Sequence, residues 1–242
     1  MQQGRHEMQA LIFDCDGVLV DTERDGHRVA FNEAFRQIGW NTVWSVERYG
    51  ELLTTAGGKE RMRRHFDEEG WPVPDDARDA AIARLHKLKT DIFMQLIESG
   101  KLPLRPGIMR IVDEAIAAGL KIAVCSTSNE RAVQAVVDKM LGAARAAHIR
   151  VFAGDVVPKK KPDPAIYNLA AAELSLDPKR CVVVEDSNTG LRAAKAAGMN
   201  CIVTISSYTA EEDFTLADRV VPDLGDPPGA VVALPDLRRL IA

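Results

Sequence analysis

Aromatic residues make up only 5% of this 242-residue chain, and it has four cysteines, Cys15, Cys125, Cys181 and Cys201. None belongs to a CxxC pair, which argues against a zinc ribbon or a dithiol redox centre. Each lies in or beside a short β-branched run, where cysteine behaves as a small buried hydrophobe. Their use fits a reducing, cytoplasmic type of compartment. An excess of positive charge is also missing. Lys+Arg 31 against Asp+Glu 35 leaves a formal charge of −4, so no basic field advertises nucleic acid or an anionic membrane surface. Apolar runs such as Ile122–Cys125 and Cys181–Val184 fall far short of the roughly 18 residues that a membrane span needs. Residues 1–9 are polar and lack the apolar stretch of a signal peptide. A chloroplast stromal protein whose transit peptide had been removed would read the same way. What remains is 46% apolar and 27% charged, enough for a real core, and the length suits one compact domain with an insertion.

Five runs read as strands: 11–14, 120–125, 151–153, 182–185 and 201–205. Several are continuously apolar rather than alternating, as in parallel strands covered on both faces. Helical stretches separate them. Ile108 to Ala118 stops at Gly119. Val133, Val136, Val137, Met140 and Leu141 have helical spacing after a Ser128 or Asn129 cap. Ala165 to Leu174 follows a Pro-rich entry, and Thr189 to Ala197 stops at Gly198. Strands alternating with helices imply a doubly wound α/β sheet. From Glu23 to Pro103 only helical patterning appears, as in Phe31, Ala34, Phe35 and Ile38, then Ile82, Leu85, Leu88 and Ile92. That is far longer than a βα crossover needs and reads as an inserted all-helical domain. Pro222 to Pro235 reads as a Pro/Gly-rich loop entering a short final helix.

Four strand ends carry side chains suited to chemistry. The first run ends in Asp14-Cys15-Asp16-Gly17, two acids at the carboxyl end of a strand, where open α/β sheets bind ligands. Two carboxylates so close require a cation or a shared proton; a simple Asp-Gly turn is the alternative. Glu185-Asp186 ends the fourth run, and carboxylates from two strand ends suit a hard divalent ion such as Mg²⁺, although Asp186 could instead cap the next helix. Ser126-Thr127-Ser128-Asn129 places hydroxyls and free N–H groups before a helix, a cradle for phosphate or an ordinary cap. Lys159-Lys160-Lys161-Pro162-Asp163-Pro164 offers a phosphate-neutralising lysine or merely a solvated run.

In this order, with the stretch Asp14 to Glu23 (DCDGVLVDTE), the motifs resemble the haloacid dehalogenase-like hydrolase superfamily across nearly the whole chain. The insertion resembles its helical-cap subgroup, which holds phosphoglycolate phosphatases and β-phosphoglucomutases. The stretch Glu51 to Met62 (ELLTTAGGKERM), Leu104-Arg105-Pro106-Gly107, Lys160 to Tyr167 and Gly190 to Lys195 are similar to the CbbY proteins, phosphatases acting on xylulose-1,5-bisphosphate, an inhibitor of Rubisco. Val18 departs from the usual Thr, and the Ser126–Asn129 run is less Thr-rich than the family pattern.

The resemblance implies a Rossmann-like core in residues 1–22 and 104–242 and a helical cap in residues 23–103. It implies Asp14 as a nucleophile forming an aspartyl-phosphate and Asp16 as general acid and base. Alternate residues of an extended chain point the same way, about 6–7 Å apart at Cα, so both carboxylates could flank one phosphate. Mg²⁺ would be held by Asp14, the Asp16 carbonyl, Asp186 and Glu185, directly or through water. Ser126, Lys161 and the Thr127 N–H would bind the phosphoryl oxygens. In the cap, Lys59 and Arg61, after the Thr54-Thr55-Ala56-Gly57-Gly58 loop, would take a second phosphate, while Arg63 and Arg64 face solvent. Glu23 and His27 would reach sugar hydroxyls, or His27 is an ordinary exposed helix residue. The implied partner is a small phosphorylated sugar bound by a monomer, without nucleic acid or membrane. A phosphoglucomutase-like isomerase, a phosphoglycolate-type phosphatase and a non-catalytic binding protein share these motifs.

Overall fold

The computed structural model describes residues 7–55, 57–229 and 232–241. Most of the N-terminal segment 1–9, Ala56 of the Thr-Thr-Ala-Gly-Gly loop, and residues 230 and 231 of the Pro/Gly-rich stretch lie outside the described residues. Contacts divide the chain into two compact units, Met1–Asp21 with Pro103–Ala242, and Thr22–Leu102.

The first unit is built on strands β1 (Ala10–Phe13), β2 (Lys121–Ser126), β3 (Ile149–Ala153), β4 (Cys181–Glu185), β5 (Asn200–Thr204) and β6 (Arg219–Val221). They form one parallel sheet in the order β3-β2-β1-β4-β5-β6, with Phe13 paired to Val124 on one side and Val184 on the other. Burial of both faces explains the unbroken apolar runs: every residue of β1 and β4 is buried. The four cysteines are all buried and free. The doubly wound α/β reading therefore holds. β6 was not anticipated; it is three residues of an exposed edge, too short to show a pattern.

The second unit contains α1 (Arg28–Gln37), α2 (Val46–Leu53), α3 (Gly58–Glu69) and α4 (Arg78–Glu98). Phe31, Phe35, Trp44, Tyr49 and Phe66 are buried, and their rings meet at centroid distances of 4.7–6.3 Å. Aromatics are sparse in the sequence but concentrated here, where large rings give a small helical unit its core. Three of the four expected α4 positions, Ile82, Leu85 and Ile92, are buried as expected. Lys89 rather than Leu88 sits on the buried face, between Leu85 and Ile92. Its ammonium lies over the faces of Phe31 and Phe93, 4.8 and 5.4 Å from the ring centroids, which lets a lysine occupy an apolar stripe.

Back in the first unit, α5 (Ile108–Ala117), α6 (Glu130–Val136), α7 (Ala143–Ala146), α8 (Ala165–Glu173), α9 (Asn188–Ala196) and α10 (Leu234–Arg238) complete the chain. Asn129 caps α6, its side chain accepting from Ala132 N. Ser187, not Asp186, caps α9 by accepting from Gly190 N at 3.1 Å, which frees the Asp186 carboxylate from a capping role. No helix among the described residues is long and apolar enough to cross a membrane.

Candidate active site

The carboxyl ends of β1, β2 and β4 converge, as the parallel topology dictates. β1 stops at Phe13, and Asp14 N donates to Val184 O at 3.0 Å, which keeps Asp14 beside the end of β4. Asp14 and Asp16 do not share one face of an extended strand, as their spacing had suggested. Asp16 lies in a turn closed by Gly17 N donating to Val20 O at 2.8 Å, and its carboxylate turns toward the β2 exit. There Ser128 Oγ donates to Asp16 Oδ2, with Ser126 Oγ farther off at 3.5 Å. Ser126 is buried and accepts from Ser128 N, while Thr127 is half-buried at the same turn.

Lys161 is the charge at the centre. Its Nζ donates to Asp14 Oδ1 at 2.8 Å, Glu185 Oε1 at 2.6 Å and Cys125 O at 2.9 Å. Only 6% of its side chain is exposed, and the Glu185 side chain not at all. The other two lysines of the run stay outward, Lys159 beside Asp163 and Lys160 on Asp155 and Gly154 O. Burial alone would lower the Lys161 pKa, but the two carboxylates outweigh it and hold the ammonium above its ordinary range. Tyr167 of α8 donates its hydroxyl to Glu185 Oε1, and burial keeps that phenol protonated. On the other side of Glu185 there is no room for a side chain: a Cβ on Gly190 would lie 2.0 Å from Oε2. Gly17, at φ +78°, is equally tight, with its Cβ position 2.0 Å from Asp186 Oδ2.

Asp14, Glu185 and Asp186 each place a carboxylate oxygen within 4.8 Å of the others. One ammonium against three buried carboxylates leaves negative charge uncompensated. Burial, then the neighbouring acids, push Asp14 up to about 7 and Asp186 well above the usual carboxylate range. Hard oxygen donors that repel one another in a buried cluster fit a divalent cation, which would remove that repulsion. These residues can therefore hold a metal ion.

The helical unit has a polar cluster of its own. Tyr49 donates its hydroxyl to Glu23 Oε2 at 2.6 Å, and Arg61 donates to Tyr49 Oη and Thr55 O, with Glu23 3.9 Å away. Lys89 Nζ lies 2.9 Å from His27 Nδ1, and His27 stacks on Phe93 at 3.8 Å. His27 is thus not an ordinary exposed residue. Burial, then Lys89 and Arg61, pull its pKa well down, so the neutral ring accepts from the lysine. Thr54 and Thr55 hydroxyls accept from Arg64, Arg63 pairs with Asp79, Gly58 begins α3, and Lys59 is exposed beside it. Arg64 therefore holds the threonines of the loop, contrary to its expected solvated role.

Residues 8–198 match the haloacid dehalogenase-like hydrolase family. The chain belongs to it. It is a hydrolase of phosphoric monoesters, similar to the CbbY phosphatases. A CBBY-like protein of Arabidopsis thaliana is 62% identical over 90% of this chain and 70% of its own length. Protein CbbY of Cereibacter sphaeroides is 43% identical over 90% and 94%. A CbbY variant from Rhodobacter sphaeroides, solved in complex with xylulose-(1,5)bisphosphate, superposes with a TM-score of 0.72. It is 40% identical and covers 95% of this chain and 99% of its own.

Sequence reasoning passed over Ser128, Tyr167, Tyr49 and Lys89 as site residues. Ser128 and Tyr167 sat inside recognised motifs, and Lys89 interrupts an apolar stripe, which is a visible signal. Tyr49 carries none beyond its helical spacing.

Proposed function

We propose that this chain is a Mg²⁺-dependent sugar-bisphosphate phosphatase that hydrolyses xylulose-1,5-bisphosphate to xylulose 5-phosphate. The observation that carries the chemistry is the buried Asp14–Lys161–Glu185–Asp186 cluster; the 40% identity to a protein solved with xylulose-(1,5)bisphosphate supports the substrate. Asp14, Glu185 and Asp186, with the Asp16 carbonyl, would hold Mg²⁺, which would offset the repulsion between carboxylate and phosphate.

The chain's own residues do the rest. Asp14 attacks phosphorus in line; the new O–P bond gives an aspartyl-phosphate as the bond to the sugar oxygen breaks. Lys161 neutralises the phosphoryl oxygens, helped by Ser126 and the Thr127 N–H, and fixes the Asp14 oxygen that it already holds. Asp16, released from Ser128, protonates the leaving sugar oxygen and then takes a proton from the water that cleaves the acyl phosphate. In the helical unit, residues 23–103 act as a cap, with Lys59 and Arg61 taking the second phosphate, Thr54, Thr55 and Gly58 shaping that loop, and Glu23 and His27 reading sugar hydroxyls.

The test is phosphate release from xylulose-1,5-bisphosphate, ribulose-1,5-bisphosphate, β-glucose 1-phosphate and phosphoglycolate, with EDTA and Asp14→Asn as blanks. Selective turnover of the xylulose compound, lost in both blanks, is expected. Equal hydrolysis of simple monophosphates would sink the substrate assignment. Glucose 6-phosphate formed from β-glucose 1-phosphate without phosphate release would identify a mutase instead.

A further inference from the structure

Arg105 stands outside the cluster just described, yet its guanidinium is committed almost entirely to backbone near it. Nη1 donates to Gly17 O and, at 3.1 Å each, to Thr204 O and Oγ1; Nη2 donates to Ile205 O and, at 2.8 Å, to Pro222 O. Three separate segments are joined: the turn after β1, the exit of β5 and the chain after β6. Its own backbone N donates to Leu19 O at 2.9 Å, so the residue grips the β1 turn with main chain and side chain together. No carboxylate takes one of these side-chain hydrogen bonds. A fork that satisfies carbonyls on three segments is a fixture for backbone rather than an ion pair.

What the fork fixes matters for the acids. The peptide joining Asp16 to Gly17 has its N–H on Val20 O, and the following carbonyl, Gly17 O, is held by Arg105. The orientation of the Asp16 carbonyl is therefore set from both sides. Gly17 also fills the space against Asp186, where even a methyl group would come within 2.0 Å of Oδ2. At the other end of the network, Thr204 Oγ1, an acceptor of Arg105, lies 3.4 Å from Glu185 O, to which it donates. We propose that Arg105 is a positioning residue: it sets the Asp16–Gly17 turn against Asp186 and the β5 exit against Glu185, and so fixes the spacing of the cation-binding oxygens. Lysine cannot replace it, because an ammonium on a flexible stem cannot reach carbonyls on three segments in one plane.

This rests on the active-site reading above, and the experiment separates the two. Mg²⁺ affinity is measured by calorimetry without substrate, and kcat and KM by phosphate release, for the wild type, Arg105→Lys, Thr204→Val and Arg105→Ala with and without added guanidinium. Arg105→Lys is expected to weaken Mg²⁺ binding by about tenfold, as loss of supporting contacts does at metal sites. It is expected to lower kcat by about thirtyfold while KM changes by less than about threefold, the pattern of misplaced reacting groups rather than lost substrate contacts. Thr204→Val is expected to change both in the same direction by less, and guanidinium to restore part of the Mg²⁺ affinity to Arg105→Ala. If Arg105→Ala does not fold, the lysine and valine variants decide alone. A lowered melting temperature with Mg²⁺ affinity kept within about twofold in Arg105→Lys would make the residue merely structural and overturn the proposal. A wild-type protein that binds no Mg²⁺ would overturn the metal reading itself, and this proposal with it.

Discussion

At the scale of single residues, the site is a compromise between folding and chemistry. Asp14, Glu185 and Asp186 are buried within reach of one another with a single ammonium between them, an arrangement that weakens the metal-free protein. Asp14→Asn removes one of the repelling charges while keeping the shape. It is expected to raise the melting temperature in EDTA by the equivalent of about 1 kcal/mol and to lower phosphate release by at least about 10³-fold, read by thermal melts and turnover on one preparation. Tyr167→Phe is expected to do the opposite to stability. Lacking the hydroxyl that supports the buried Glu185, it should lose about 1–3 kcal/mol in denaturant unfolding. The participants were legible as types, since acids and hydroxyls stood at strand ends and a lysine in the loop after β3. Their partners were not. Ser128 reaching Asp16, and Lys161 bridging Asp14 and Glu185, join residues far apart in the chain.

At the scale of elements, helix and strand ends aim these groups. Helix α9 opens at Asn188 with Gly190 against the Glu185 carboxylate, so helix propensity and site geometry conflict there. Gly190→Ala should favour an isolated helix by about 1 kcal/mol. In this protein it is expected instead to destabilise and to weaken Mg²⁺ binding, because the added methyl displaces Glu185; unchanged Mg²⁺ titration in this variant would refute that account. In α4, Lys89 carries the corresponding conflict. Burial depresses its pKa from 10.5 to about 8, so the unfolded chain holds this proton more tightly than the folded one. The resulting penalty is full below about 8 and is relieved as pH rises from there toward the ordinary lysine value. Lys89→Met is therefore expected to gain at most about 3 kcal/mol at pH near 7, a gain that shrinks by pH near 10 in paired thermal melts. β1, β2, β4 and β5 were readable because parallel strands covered on both faces leave unbroken apolar runs, whereas β3, an edge strand with Arg150 exposed, was read only from Val151 onward. β6 was not, for an exposed edge of three residues needs no such run. One position of the α4 stripe was misread, Leu88 for Lys89, because an ammonium set over aromatic faces lets a lysine take an apolar position.

At the scale of the whole molecule, the chain has two units with separate cores and the acidic cluster lies wholly in one of them. Saturating Mg²⁺ at about 100 to 1,000 times its dissociation constant is expected to stabilise that unit by about 3–4 kcal/mol. Scanning calorimetry with Mg²⁺ and with EDTA should show the shift in the transition of the α/β unit, with Arg105→Lys diminishing it. A shift confined to the helical unit would contradict the assignment of the metal ligands.

The sequence by itself determined the α/β class, the acids that follow β1 and β4 and the loop that carries the lysine, and its motifs resembled those of a phosphatase family. The first three are local matters: period, run length and the residues that follow each strand. Only the tertiary structure decided which groups meet. It turned Asp16 toward Ser128, chose Lys161 from three adjacent lysines, and put Arg105 on the backbone of three segments. The reason is that each choice depends on which buried donor finds an acceptor once the strands are side by side, and a linear pattern carries the residue types without carrying that distance.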